Sequence, residues 1–322
     1  MDRQDRLNLI NKIQKARNSK LIVYIAGERP NILVQIAGDI FPSLSEHLNN
    51  VGHQERIDLF LYSIGGDIMA GYTLVNLIRE FCNEFNVIIP FKAHSCATLI
   101  SLGAKEIVMT NMGQLSPIEP SLNNHPLAPM VQSPNQPMVQ LPNQPKLQNV
   151  SINVEEVNAF ISLAKEEFKL QSEESMRAVF SELSSKVHPV VLGAVHRLNQ
   201  QIEFLASKLM RYNTPNNEEH IKEVIKILTR ERFSHNYIIG KTEAKEELRL
   251  NIVEPNNELN SDIIHLFNTY FGMLKIGTPF AKKDKESYTT IIESSNLTHV
   301  SRPIFNEKGD ITHSEWKIEN NI

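Results

Sequence analysis

Cysteine is scarce, with Cys82 and Cys96 alone in 322 residues. They form no CxxC pair and have no Cys/His spacing, so the sequence offers neither a disulfide framework nor a zinc site. No glycine-lysine phosphate loop is present either, and no metal or other cofactor is expected. Long apolar runs are missing: none approaches the roughly 20 residues that cross a bilayer. The charged start, from Met1 to Arg6, lacks the apolar centre of a signal peptide. These absences predict a cytoplasmic protein with no membrane span. Charge of one sign is also lacking, since 33 Lys and Arg face 37 Asp and Glu for a net of −4. The basic residues are scattered, which removes the electrostatic case for nucleic acid.

What remains is a chain 41% hydrophobic, enough to bury a sizeable core. Residues 57–120 carry most of the information. An apolar, β-capable run over 57–62 is broken by Ser63-Ile64-Gly65-Gly66. A helical pattern follows, with Ile68, Tyr72, Val75, Leu77, Ile78 and Phe81 as its expected core. A second apolar run (87–91) leads through Ala93-His94-Ser95-Cys96-Ala97 into a helix over 98–104. A short strand (107–109) and a proline-punctuated turn close the unit. Strand, break and helix, repeated once, predicts βαβ units on a parallel sheet.

In such sheets ligands bind beyond the carboxyl ends of the strands, where both breaks fall. Gly65 and Gly66 can turn their amides toward a ligand because no side chain intervenes. Ser95 stands at the start of the second helix, where unpaired amides favour a developing anion. A hydroxyl there, facing a two-glycine loop, is the layout of a nucleophile beside an oxyanion hole. The competing reading of Ser95 is a plain helix cap, and of the glycines a plain turn. Asp67 reads as a helix-start acid, Cys96 as a contributor of its backbone amide, and Ser101 as a packed helical serine.

Ser63-Ile64-Gly65-Gly66-Asp67, the stretch from Ala93 to Met109, and Leu115-Ser116-Pro117-Ile118-Glu119-Pro120 together resemble the serine dehydrogenase proteinase group of Clp-fold serine proteases. That group is related to the Clp protease proteolytic subunit and to signal peptide peptidase A. Further similarity lies in residues 187–197, 201–210 and 234–244. The resemblance implies a Clp/crotonase-like α/β spiral of βαβ units with a helical arm. It implies a serine peptidase that cleaves peptide bonds through an acyl-enzyme, with Ser95 as nucleophile and Gly65, Gly66 and Cys96 around the oxyanion. It also implies a peptide or protein substrate and a homo-oligomer. The general base stays open: His235 and His188 are the candidates, Asn236 shares the aligned stretch, and Lys208 and Lys241 are lysine alternatives. Glu119, where relatives often carry aspartate, would orient a base or end a turn. A catalytically silent scaffold or binding protein on the same fold, and a crotonase-like acyl-CoA enzyme, are the alternatives.

Around this centre, residues 1–275 read as the protease-like domain. Leu7, Ile10, Ile13 and Ala16 space an N-terminal helix, 21–26 is a strand, and 39–48 is a helix. Residues 121–150 form an insert rich in Pro, Gln and Asn, with a tandem repeat at 130–137 and 138–145. A partner-binding motif and a tolerated surface insertion are both open readings of it. Helices are expected at 153–169, 173–183, 189–212, 218–230, from 242, and at 262–274. Residues 252–253 return to the sheet. Residues 276–322 read as a separate small β appendage, with a hairpin at 306–310 and Trp316 as anchor.

Overall fold

The computed structural model describes residues 3–32, 34–118, 121–122, 127, 130–132, 147–149, 152–232, 234, 236–281, 284, 287–306 and 311–319. The chain opens with α1 (Arg3–Arg17), β1 (Lys20–Ala26), α2 (Phe41–Val51), β2 (Gln54–Tyr62), α3 (Ile68–Arg79) and β3 (Cys82–Ile89). Next come β4 (Lys92–Ala93), α4 (Cys96–Leu102), β5 (Ile107–Met109), β6 (Gln114–Leu115), β7 (Ser121–Leu122), β8 (Met130–Gln132), β9 (Leu147–Asn149) and β10 (Ile152–Asn153). A helical stretch holds α5 (Val154–Ser162), α6 (Glu173–Lys186), α7 (Pro189–Arg211) and α8 (Glu218–Lys226). The chain finishes with β11 (Ile239–Gly240), α9 (Lys241–Glu246), β12 (Ile252–Val253), α10 (Asn257–Met273), β13 (Thr290–Glu293), β14 (Thr298–Phe305) and β15 (Ile311–Ile318).

The main sheet has eight strands in the order β12-β5-β3-β2-β1-β13-β14-β15. Strands β1, β2, β3, β5 and β12 run parallel, as helical crossovers require. Helices cover both faces of this parallel part. Ile22, Tyr24, Leu59, Leu61, Val87 and Ile89 point to the face that α2, α3 and α4 bury. The alternate residues Leu21, Val23, Ile25, Phe60, Tyr62 and Ile88 face α1 and α10. Burial on both sides explains why these strands read as continuous apolar runs. In α3 the innermost residues are Ala70, Gly71, Leu74, Val75 and Ile78. Ile68, Tyr72, Leu77 and Phe81 pack at the margin.

The C-terminal β segment joins the main sheet: β13 pairs antiparallel with β1 and covers an edge that would otherwise stand open. A buried ion pair fastens the joint. Arg6 of α1 grips Glu293 of β13 with Nε to Oε2 at 2.8 Å and Nη2 to Oε1 at 3.0 Å. Tyr270 and Thr298 donate to the same carboxylate at 2.6 and 2.8 Å. Removing one partner of such a pair costs about 3–5 kcal/mol, because the other charge stays buried alone. The expected hairpin is β14 against β15, with residues 307–310 outside the described residues. Trp316 does anchor, donating from Nε1 to Asp39 Oδ2 at 2.8 Å.

Helix α10 begins earlier than expected, since Asn256 Oδ1 caps it by accepting from Leu259 N–H at 2.9 Å. The arm centres on the 23-residue α7, whose last turns pack at Gly103 through Leu209. Residues 123–126, 128–129, 133–146 and 150 of the repeat-bearing insert lie outside the described residues.

A second polar contact joins α2 to the C-terminal strands. His47 Nδ1 meets Ser294 Oγ at 2.7 Å, His47 Nε2 meets His299 Nδ1 at 3.1 Å, and His299 Nε2 meets Glu46 at 3.3 Å. Burial, then the neighbouring His299, pushes His47 down from 6.5 to about 3, and burial also lowers His299. The folded pair resists protons that the unfolded imidazoles accept near pH 6.5. Its stabilisation is therefore complete above pH 6.5 and is lost as the pH falls from there toward 3. Thermal melts across this window should show Tm falling on acidification, and His47→Asn should flatten the slope.

Candidate active site

Two chain breaks build the site. After β2, Ser63 Oγ accepts from Gly65 N–H at 3.0 Å and closes a tight turn. Ile36 N–H then donates to Gly65 O at 2.9 Å, and Asp67 N–H donates to Ile36 O at 2.8 Å. This brace fixes Gly65 at φ +117° and Gly66 at φ +154°. Both positions also lack room. A Cβ at Gly66 would stand 2.2 Å from Ile36 O, and one at Gly65 would stand 2.8 Å from Ser95 Cβ and 3.3 Å from Ser95 Oγ. Asp67 caps α3, accepting from Ala70 N–H at 2.7 Å.

The second break runs from β4 into α4. Ser95 has φ +52° and ψ −114°, a conformation that costs a non-glycine residue about 1–3 kcal/mol. Ser116 holds it there: Ser116 Oγ accepts from Ser95 N–H at 2.8 Å, and Ser116 N–H donates to Thr98 Oγ1 at 3.1 Å. Thr98 in turn donates to Ala93 O at 2.8 Å. The turn lifts the Ser95 hydroxyl out of these networks. It makes no hydrogen bond among the described residues, and Ser95 keeps 8% of its surface exposed.

The glycine loop and Ser95 thus meet at one rim of the sheet. The amides around Ser95 differ in their hydrogen bonding. Gly65 N–H is spent on Ser63, so Gly65 contributes clearance. The N–H groups of Gly66 and Cys96 make no hydrogen bond among the described residues. Cys96 itself is buried, donates to Asp67 O at 3.1 Å, and has its thiol pushed up to about 12 by that burial. It offers no thiolate at neutral pH. Ser101 is buried and bonded to Ala97 O at 2.8 Å.

No side chain among the described residues donates to or accepts from the Ser95 hydroxyl. His235 and Glu119 lie outside those residues. His188, the other candidate base, is exposed at the start of α7. It caps α7, accepting from Val190 N–H at 3.2 Å. It precedes Gln201, whose side chain touches Met69 near the glycine loop, by about 20 Å along the helix axis. Lys208 sits over the Phe204 ring, and Lys241 bonds Asn111 and Glu254. Ser63, Ser116 and Ile36 carry no mark of this supporting part in the sequence. Small residues at turns give no sign in sequence of which amide they take.

Replacing Ser116 with Ala leaves the Ser95 amide buried and unpaired, which costs about 1–3 kcal/mol. Gly65→Ala adds backbone strain of about 1–3 kcal/mol and a clash with Ser95. Urea denaturation should rank both variants below the wild type, whereas Ser101→Ala should lie closer to it.

Among curated proteins, an uncharacterized protein of Methanocaldococcus jannaschii is 24% identical over 247 residues, covering 75% of this chain and 71% of that one. A second uncharacterized protein of the same organism is 25% identical over 134 residues, 40% of this chain and 46% of that one. Among solved structures, ClpP1 from Listeria monocytogenes aligns at 15% identity and TM-score 0.38, over 77% of this chain and 98% of that chain. The ClpP protease catalytic domain from Plasmodium falciparum aligns at 11% identity and TM-score 0.34, over 76% and 91%. Over residues 2–147, which hold Gly65, Gly66, Ser95 and Ser116, the chain matches the family of ClpP-like SDH-type serine proteinases.

Proposed function

We propose that the chain is a serine peptidase in which Ser95 attacks a peptide carbonyl and forms an acyl-enzyme. The observation that carries this reading is the convergence of an unbonded Ser95 hydroxyl with the uncommitted amides of Gly66 and Cys96. Those amides would receive the oxyanion, each such donor being worth roughly 10²–10³ in rate. His235 is proposed as the general base. Support comes from the neighbouring pairing of Ile239 with Leu115, which runs the chain near 236–238 antiparallel to the stretch holding Ser116. The substrate would be a peptide or protein.

Self-association is part of the reading. Phe168, Phe180, Val190 and Phe204 of the arm region are 67%, 56%, 55% and 56% exposed, more apolar surface than a solvated helix needs. No described helix is long and apolar enough to cross a membrane, and a cytoplasmic location is proposed with it. The insert at 121–150 is a second proposed contact region, for a partner protein.

A fluorophosphonate probe should form one covalent adduct with the wild type and none with Ser95→Ala. His235→Ala should slow labelling by about 10²–10⁴-fold, the usual worth of a general base, while His188→Ala should leave it unchanged. The lack of a base bonded to Ser95 among the described residues favours a second reading, a catalytically silent scaffold on this fold. Wild type that is folded yet unlabelled at high probe concentration would select it.

A further inference from the structure

A cavity of about 550 Å³ lies on the sheet face beside the site, between the C-terminal strands and the segment before α2. That volume is in the range of small-ligand sites, about 300–1,000 Å³. Its floor crosses neighbouring strands. Thr290 of β13 pairs with Ser301 of β14, which pairs with Trp316 of β15, and Tyr24 of β1 lines the same floor. Tyr24 is 1% exposed, and its hydroxyl has no partner among the described residues. Thr290 and Ser301 are 5% and 2% exposed, and their hydroxyls make no hydrogen bond among the described residues. Neither of these two hydroxyls is sealed, so both stay open to the cavity. A native fold seldom leaves a sealed hydroxyl such as that of Tyr24 without a partner.

The walls narrow the chemistry of an occupant. Aliphatic side chains such as Val34 and Ile40 stand opposite the hydroxyl floor. Among the described residues no Lys or Arg lines the cavity; the Asp39 carboxylate and the His313 imidazole do, and the fixed negative charge disfavours phosphates and carboxylates. Hydroxyls both donate and accept, and so does an amide, whereas an ammonium only donates. We propose that this cavity binds a short, neutral, apolar peptide through its amide groups, with the floor hydroxyls pairing the amides and the aliphatic wall covering the side chains.

Binding there bears on Ser95. Val34, Gln35 and Ala37 line the cavity, and between them Ile36 makes the two backbone bonds that brace Gly65 and Asp67. A ligand that fixes this segment fixes the loop presenting the Gly66 amide. This regulatory consequence rests on the peptidase reading, whereas the binding itself does not.

Trp316 is the only tryptophan in the chain, so its fluorescence reports on this cavity directly. Titration of the full chain with N-acetyl-leucyl-leucinamide should give a saturable change. Ser301→Ala and Thr290→Val, each the loss of one floor hydroxyl, should each weaken it by up to about tenfold, the worth of one hydrogen bond. N-acetyl-leucyl-leucine, which carries a free carboxylate, should bind more weakly than the amide. No saturable change at millimolar probe, equal affinity in both variants, or preference for the carboxylate or for leucylamine would each overturn the assignment. Fluorophosphonate labelling of Ser95 with and without the probe separates the two ideas. Saturable binding to a protein that never labels keeps the cavity and removes the peptidase.

Discussion

Two backbone hydrogen bonds at Ile36, one donated to Gly65 O and one accepted from Asp67 N–H, set the geometry on which the site depends. The glycine loop leaves β2 with both residues at positive φ, a region that glycine visits readily but that a free chain would not keep fixed. Pairing it to a passing segment turns a floppy turn into a short two-stranded bridge. The bridge also consumes the carbonyl of Gly65, while Ser63 consumes its amide, and the Gly66 amide is left without a hydrogen bond among the described residues. A donor that needs no reorganisation when charge develops is worth more than one that must first break a protein contact.

The opposite side of the site is held by a comparable economy of small side chains. Ser95 adopts a backbone conformation worth about 1–3 kcal/mol of strain. Against that cost stand the bonds from Ser95 N–H to Ser116 and from Ser116 N–H to Thr98, each worth about 1 kcal/mol net. The magnitudes are similar, so the conformation persists without large surplus. The same strain turns the hydroxyl away from the helix amides it would otherwise cap. The absent cap bond at Ser95, set beside the cap made by Asp67 at the preceding helix start, argues against the plain-cap reading of this serine.

Much of the parallel sheet was legible in the sequence because its strands are buried on both faces. Such strands announce themselves as unbroken apolar runs, and the breaks between them fall at glycine or at small polar residues. Ser95 and the glycine pair were legible for the same reason: each interrupts a strong pattern. The place of the C-terminal strands was not. It depends on Arg6 meeting Glu293 across 287 residues and on His47 meeting His299 across 252. Charged and imidazole side chains in sequence read as surface, and only the fold reveals that they are buried together. The division of labour between Gly65 and Gly66 was equally hidden, since it turns on which amide Ser63 takes.

The C-terminal strands do more than cover an edge. With β13 beside β1, the sheet presents Thr290, Ser301 and Trp316 next to Tyr24, and Trp316 reaches Asp39 just ahead of α2. The same segment, 34–40, therefore touches the last strand of the chain at one end and the glycine loop at the other. Val34, Ile36 and Ile40 of that segment are themselves buried in the main core, so the interlocked packing that resists small displacements holds it together with the two backbone bonds. The stretch beside the Gly66 amide is thus fastened by the core, by the glycine loop and by the tail at once.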